Sequence, residues 1–148
     1  NSLAAAASLM SLPHRLILVG GEFRQLSRTL VGPLTEPIID RLTIDKAFMG
    51  TIGFDIPSGM TTTDPNEAYT KEQIIRRAAQ VILLADSSKL GVPSFAWSGN
   101  ASDVDVLITD RVSRDFRVAC DELDIEVVLA SDEKGMPHGY ARAHAQTG

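Results

Sequence analysis

The apolar positions of this chain fall into short, nearly continuous runs rather than strict alternation. Arg15-Leu16-Ile17-Leu18-Val19, Lys46-Ala47-Phe48-Met49-Gly50, Val81-Ile82-Leu83-Leu84-Ala85, and the stretches 104–109 and 125–129 are of this kind. Runs of four to six apolar residues, bounded by glycines or polar residues, predict strands buried on both faces. Between them the spacing turns helical. Leu34, Ile38 and Leu42 predict a helix over 33–42, and Phe116, Ala119, Cys120 and Leu123 share one face of a helix over 113–123. An Ala/Leu-rich helix follows Asn1-Ser2 and stops at Pro13. The clearest helix start is Asp64, with Pro65 at the first helical position and Glu67 three residues after the cap. That helix is expected to reach about Ala79. The stretches 22–28 and 54–63 read as irregular, the second interrupted by Pro57 and Gly59.

The resulting order is helix, strand, helix, strand, helix, strand, strand, helix, strand. Helices set between continuous apolar strands imply right-handed crossovers and an α/β fold, with a mostly parallel sheet flanked by helices. A chain of 148 residues suits one domain. We assign it to residues 1–130. Residues 131–148 are polar and Gly-containing and are expected to form a mobile tail.

Composition narrows the function. The chain is 44% hydrophobic and 22% charged, as in ordinary globular domains. Fourteen basic residues against nineteen acidic ones give a net charge of −5. A surface that grips DNA phosphates needs a basic face, so this piece is not expected to contact DNA itself. One cysteine, Cys120, excludes an intrachain disulfide and reads as inert packing, which fits a cytoplasmic protein. His14, His138 and His144 do not stand at zinc-ligand spacing, and no metal or cofactor is expected. No apolar run approaches the roughly 20 residues that cross a bilayer, so no membrane role is expected. The first apolar segment lacks the basic start of a signal peptide.

Candidate chemistry lies at the carboxyl ends of strands, where open α/β sheets bind ligands. One run ends in Gly20-Gly21, another in Gly50-Thr51-Ile52-Gly53, and a third in Asp86-Ser87-Ser88-Lys89. Glycines let backbone N–H groups approach an anion, and hydroxyls and a lysine add donors. A phosphorylated small molecule needs such a set, and a polyol also needs an acceptor such as Asp86. Each feature has a plainer reading. Gly20-Gly21 can be a simple turn, and Gly-x-x-Gly alone is a weak motif. The Asp86 turn can be a helix cap with a solvated lysine. Glu67 and Lys71, four apart, can be a surface ion pair, although Lys71 shares a face with Ala68, Ile75 and Ala78. Asp110 serves equally as a helix cap or a ligand contact. Phe95 and Trp97 read as packing or a subunit contact.

Taken in order, the pieces resemble the C-terminal sensor domain of the DeoR family of bacterial repressors. The resemblance rests on Asn1-Ser2-Leu3, Leu18-Val19-Gly20-Gly21, the stretch 27–32, Asp45-Lys46-Ala47-Phe48-Met49-Gly50 with Gly53, and Gly59-Met60-Thr61-Thr62. It continues through Glu67-Ala68 with Lys71, Leu84-Ala85-Asp86-Ser87-Ser88-Lys89, and Asp105-Val106-Leu107-Ile108-Thr109-Asp110. It covers roughly residues 1–130 and implies a fold like that of ribose-5-phosphate isomerase and the CoA-transferases. It implies further that a phosphorylated sugar or related metabolite is sensed and that the protein forms a homo-oligomer. Operator DNA would then be bound only through an upstream winged helix outside this chain. By match of motif, the ligand role falls to Asn1, Gly20, Gly21, Gly50, Gly53, Lys71, Asp86 and Lys89, with Ser87 and Ser88 beside them. No catalytic residue is implied. The family's sensor domain carries an earlier strand ending in an Asp/Ser/Gly/Thr-rich phosphate loop. This chain begins at Asn1, after that point, and is expected to lack a strand and part of the pocket. The alternative is an enzyme of the sugar-phosphate isomerase type, with Asp86 as base and Lys89 steadying an oxyanion. No second carboxylate motif supports it.

Overall fold

The computed structural model describes residues 1–130; the expected tail, 131–148, lies outside the described residues. In chain order the elements are α1 (Leu3–Leu9), β1 (Glu22–Arg24), β2 (Thr29–Val31), α2 (Glu36–Ile39), β3 (Ala47–Gly50), β4 (Gly53–Asp55) and β5 (Gly59–Thr62). They continue with α3 (Pro65–Arg77), β6 (Val81–Leu84), β7 (Ala96–Gly99), β8 (Val106–Thr109), α4 (Arg114–Asp121) and β9 (Glu126–Leu129).

Four of the apolar runs pair as one parallel sheet in the order β3-β6-β8-β9. The α/β fold with a mostly parallel sheet and flanking helices is therefore as expected. Register places Met49 beside Leu83, and Leu83 beside Leu107. This face meets Phe54, Met60, Ile75, Cys120 and Ile125 in the central cluster, where Leu83 and Leu107 are fully buried. Phe54 and Phe116 close it edge to face, with ring centroids 5.9 Å apart. On the opposite face Phe48, Leu84 and Val128 are exposed, at 64%, 46% and 37%. The expected burial on both faces is thus met only in part: the Leu83–Leu107 face packs on the central cluster, and the opposite face is open at Phe48, Leu84 and Val128.

Three expectations are corrected. Residues 15–20 form no strand, and Leu16, Ile17 and Leu18 are exposed. A strand needs a ladder partner, and none of the described strands pairs with this run. The stretches read as irregular instead hold strands. β1 and β2 form an antiparallel hairpin, and β4, β5 and β7 form a second, antiparallel sheet. The helix expected over 33–42 divides into a 3-10 turn, Pro33–Thr35, and the short α2. Pro37 causes the break. It has no N–H to donate back to Pro33, whose carbonyl accepts from Glu36 instead.

Helix α3 begins where the sequence predicts. Asp64 is extended, its Oδ1 accepts the Glu67 N–H at 2.8 Å, and Pro65 opens the helix. The helix packs on β7 and β5 and also touches β2 and β3, so it joins both sheets and the hairpin.

Gly53 illustrates what this packing demands. A Cβ there would lie 2.0 Å from the Val92 carbonyl oxygen, whereas a Cβ at Gly50 would meet nothing within 4 Å. Gly53→Ala must therefore move backbone against backbone. We expect it to destabilise the fold by about 1–3 kcal/mol, while Gly50→Ala stays within about 0.5 kcal/mol of wild type. Urea unfolding midpoints distinguish the two, and equal midpoints would contradict the packing role of Gly53.

Candidate functional site

Parallel pairing brings the carboxyl ends of the strands to one side of the sheet. Gly50 lies level with Leu84, and Leu84 with Ile108, so the turns after β3, β6 and β8 share one edge. Two clefts open there. The first, about 330 Å³, is lined by Asn1, Thr29, Phe48, Gly50, Thr51, Glu67 and Lys71, among others. The second, about 420 Å³, is lined by Ser87, Arg111, Ser113 and Phe116, among others.

The first cleft gathers three of the sequence-nominated residues, Asn1, Gly50 and Lys71. Asn1 is held by β2: its side-chain amide donates to the Leu30 carbonyl at 3.0 Å, and the Leu30 N–H donates to the Asn1 carbonyl at 2.9 Å. The Thr51 hydroxyl sits 2.8 Å from the Gly53 and Thr61 carbonyl oxygens, which pins the turn after β3.

Lys71 enters from α3. Its Nζ lies 2.7 Å from Glu67 Oε1, and the two side chains are only 14% and 9% exposed. This is not a surface pair: one turn of helix aims both groups inward. Arg24 completes the arrangement from β1. Its Nη1 is 3.1 Å from Glu67 Oε2, its Nε is 3.4 Å from Asp64 Oδ2, and its Nη2 donates to the Thr63 hydroxyl at 3.1 Å. Sequence reasoning did not single out Arg24. It sits in a polar stretch without periodicity, and its partners are some 40 residues away in sequence. Thr29, Phe48 and Thr51 were likewise not nominated.

The Asp86-Ser87-Ser88-Lys89 turn has its own order. Residues Ser87–Lys89 form a 3-10 turn capped by Asp86, whose Oδ1 accepts the Ser88 N–H at 2.9 Å and also the Ser88 hydroxyl. The Ser87 N–H and hydroxyl donate to Asp110, at 2.6 and 3.1 Å. Both carboxylates are held as anions. The Ser88 hydroxyl and N–H lower the Asp86 pKa. The Ser87 N–H above all lowers that of Asp110, to about 2. Ser87 borders the second cleft, whereas Asp86, Ser88 and Lys89 line neither cleft.

The remaining nominees stand apart. Gly20 and Gly21 follow the unpaired run and line neither cleft. Gly21 has φ +151°, and a Cβ there would come within 2.8 Å of the Val31 carbonyl oxygen, so glycine is required by the hairpin's close approach. Gly53 lies in β4, under the Val92 carbonyl. Cys120 is fully buried and its thiol is pushed up to about 11 by desolvation, in keeping with inert packing. Among the described residues no group of three or more potential metal ligands occurs, and no helix is long and apolar enough to cross a membrane.

An α/β domain whose strand ends collect a lysine, an amide and open glycine backbone has the form of a small-molecule sensor. Comparison with known proteins makes this definite: residues 1–111 match the family described as DeoR C terminal sensor domain, and the chain belongs to that family. It is similar to the HTH-type transcriptional regulator GlpR of Haloferax volcanii, with 36% identity over 86% of this chain and 51% of that protein. It is also similar to the HTH-type transcriptional repressor GlcR of Bacillus subtilis, at 32% over 81% and 46%. The glycerol-3-phosphate regulon repressor of Escherichia coli is 33% identical over 74% and 44%. The chain spans about half the length of these curated relatives.

The Asp110 geometry gives a pH prediction. Its folded pKa is depressed, so its contribution to stability is present above the ordinary aspartate range and is lost as pH falls through the folded value. A carboxyl titration followed by NMR should place Asp110 near pH 2. Ser87→Ala should leave the carboxylate depressed, because the backbone N–H is the larger cause. A midpoint near 4 in wild type would contradict the hydrogen bonds described.

Proposed function

We propose that this chain is the effector-binding part of a DNA-binding transcriptional repressor, and that its effector is a phosphorylated sugar or related metabolite held in the cleft of Asn1, Gly50, Thr51 and Lys71. The observation that carries this is the inward Lys71 ammonium facing a cleft of about 330 Å³ beside the open backbone of Gly50. A lysine is a compact point charge suited to a phosphate, and an unhindered glycine lets backbone donors reach it. The volume suits a small metabolite. Two of the relatives named above are called a repressor and a glycerol-3-phosphate regulon repressor, which fits a phosphorylated effector.

In this reading the Asp86-Ser87-Ser88-Lys89 turn lies on the same sheet edge, where Ser87 borders the second cleft, and an effector that reaches past the first cleft would meet it. Gly20, Gly21 and Gly53 line neither cleft, and Gly21 and Gly53 serve packing. DNA contact belongs to a segment outside residues 1–148, in keeping with a net charge of −5 here and with relatives called HTH-type. The signal would arise from different effector affinities of two states of the domain. The protein acts in the cytoplasm as a homo-oligomer without catalytic activity. Phe95 and Trp97, 81% and 47% exposed beside and within edge strand β7, are the surface we assign to self-association.

Thermal-shift screening of the full-length protein against a panel of sugar phosphates tests the reading. At least one phosphorylated compound should raise the melting temperature where its unphosphorylated counterpart does not. Lys71→Met should remove that rise, and Lys89→Ala should reduce it less. If Lys89→Ala abolishes the rise and Lys71→Met leaves it intact, the phosphate sits at the β6 turn instead.

A further inference from the structure

The Lys71 ammonium is already neutralised. Lys71 and Arg24 carry two positive charges, Glu67 and Asp64 two negative ones, and all four groups lie within 3.4 Å of a partner. Glu67 is the shared member. Its Oε1 faces Lys71 and its Oε2 faces Arg24. Glu67 and Lys71 line the cleft and Arg24 does not.

An anion that binds Lys71 therefore competes with Glu67 for the same charge. That leaves a carboxylate only 9% exposed beside a phosphate, an arrangement strongly repulsive in a poorly solvated site. Arg24 is placed to prevent this. It approaches Glu67 from the far side and is itself anchored by Thr63 and Asp64.

We infer that Arg24 is a positioning residue of the effector site: by holding and neutralising Glu67 from behind, it releases Lys71 to bind an anion. This rests on the anion-site reading above. It adds a role for the β1–β2 hairpin, because the guanidinium that permits binding is carried by β1. An anion in the cleft transfers Glu67 wholly to Arg24 and so tightens the link between hairpin and α3.

The test is an NMR titration of the full-length protein with inorganic phosphate at low ionic strength, read at the Gly50 and Thr51 amides. Arg24→Met should raise the phosphate Kd about tenfold, whereas Arg24→Lys keeps most of the affinity. Glu67→Gln should tighten binding. The decisive variant is the double one. If Arg24 acts through Glu67, Arg24→Met combined with Glu67→Gln should match Glu67→Gln alone within about twofold.

A tenfold loss that persists in the Glu67→Gln background would mean that Arg24 acts on the anion directly, and overturns the inference. So does an Arg24→Met protein that binds like wild type; both results leave the anion site itself intact. Failure of wild type to bind phosphate, or binding indifferent to Lys71→Met, removes the anion-site reading and this inference with it. Should Arg24→Met not fold, Glu67→Gln alone decides: tighter binding supports the inference, and unchanged or weaker binding overturns it.

Discussion

A nearly buried carboxylate must be paired, and the pairing of Glu67 organises the cleft. An isolated charge at 9% exposure costs several kcal/mol, and removing one partner from such a group costs about 3–5 kcal/mol. Glu67 meets this demand twice over, with a helix neighbour on one oxygen and a hairpin arginine on the other. It can do so because Asp64 caps α3 one turn earlier. The cap fixes the helix start, the start fixes the face on which Glu67 and Lys71 emerge, and that face looks toward β3. The hairpin's position follows, since Arg24 has to reach the same carboxylate.

The elements legible in the sequence are those whose signals are local. The runs at β3, β6, β8 and β9 are largely apolar because each strand belongs to the parallel sheet that packs on the central cluster, most completely in the two inner strands β6 and β8. The Asp64-Pro65-Glu67 start is legible because a cap is a contact across three residues. The strands that escaped notice are short and contain small or polar residues. β5 is Gly-Met-Thr-Thr and β7 is Ala-Trp-Ser-Gly, which sit between the sheet and α3 rather than forming an apolar run of their own. Thr61 and Ser98 are buried there because their hydroxyls donate to the carbonyls of Gly53 and Met60. The run 15–20 is the converse case, apolar in sequence and yet without strand structure. Apolarity permits a strand, but only a partner's backbone makes one. Arg24 was invisible for the same reason: its meaning depends on α3, far along the chain.

Glycine was the weakest guide to the site, because one residue type serves opposite needs. Gly53 and Gly21 leave room for a neighbouring carbonyl and are filled by the protein itself. Gly50 faces open space at the end of an edge strand and borders the cleft. In sequence the three look alike. The distinction between a glycine that packs and one that leaves backbone open to a ligand is purely geometric.

The carboxylates near the strand ends also bear on binding against catalysis. A general base works best with a pKa near the working pH and with a lone pair free to accept a proton. Asp110 is held at about 2 by the Ser87 N–H, and Asp86 is lowered by Ser88. Glu67 has both oxygens engaged by cations. Asp86 and Asp110 are stabilised as anions, and all three groups are tied to the protein's own donors, which favours rigid acceptors over proton carriers. For the isomerase alternative, Asp86 would have to leave Ser88 before it could act on a substrate carbon. For a sensor the same bonds are useful as they stand. They fix acceptor positions at the strand ends, and in the proposed reading Lys71, through Glu67, is the charge whose partner changes on binding.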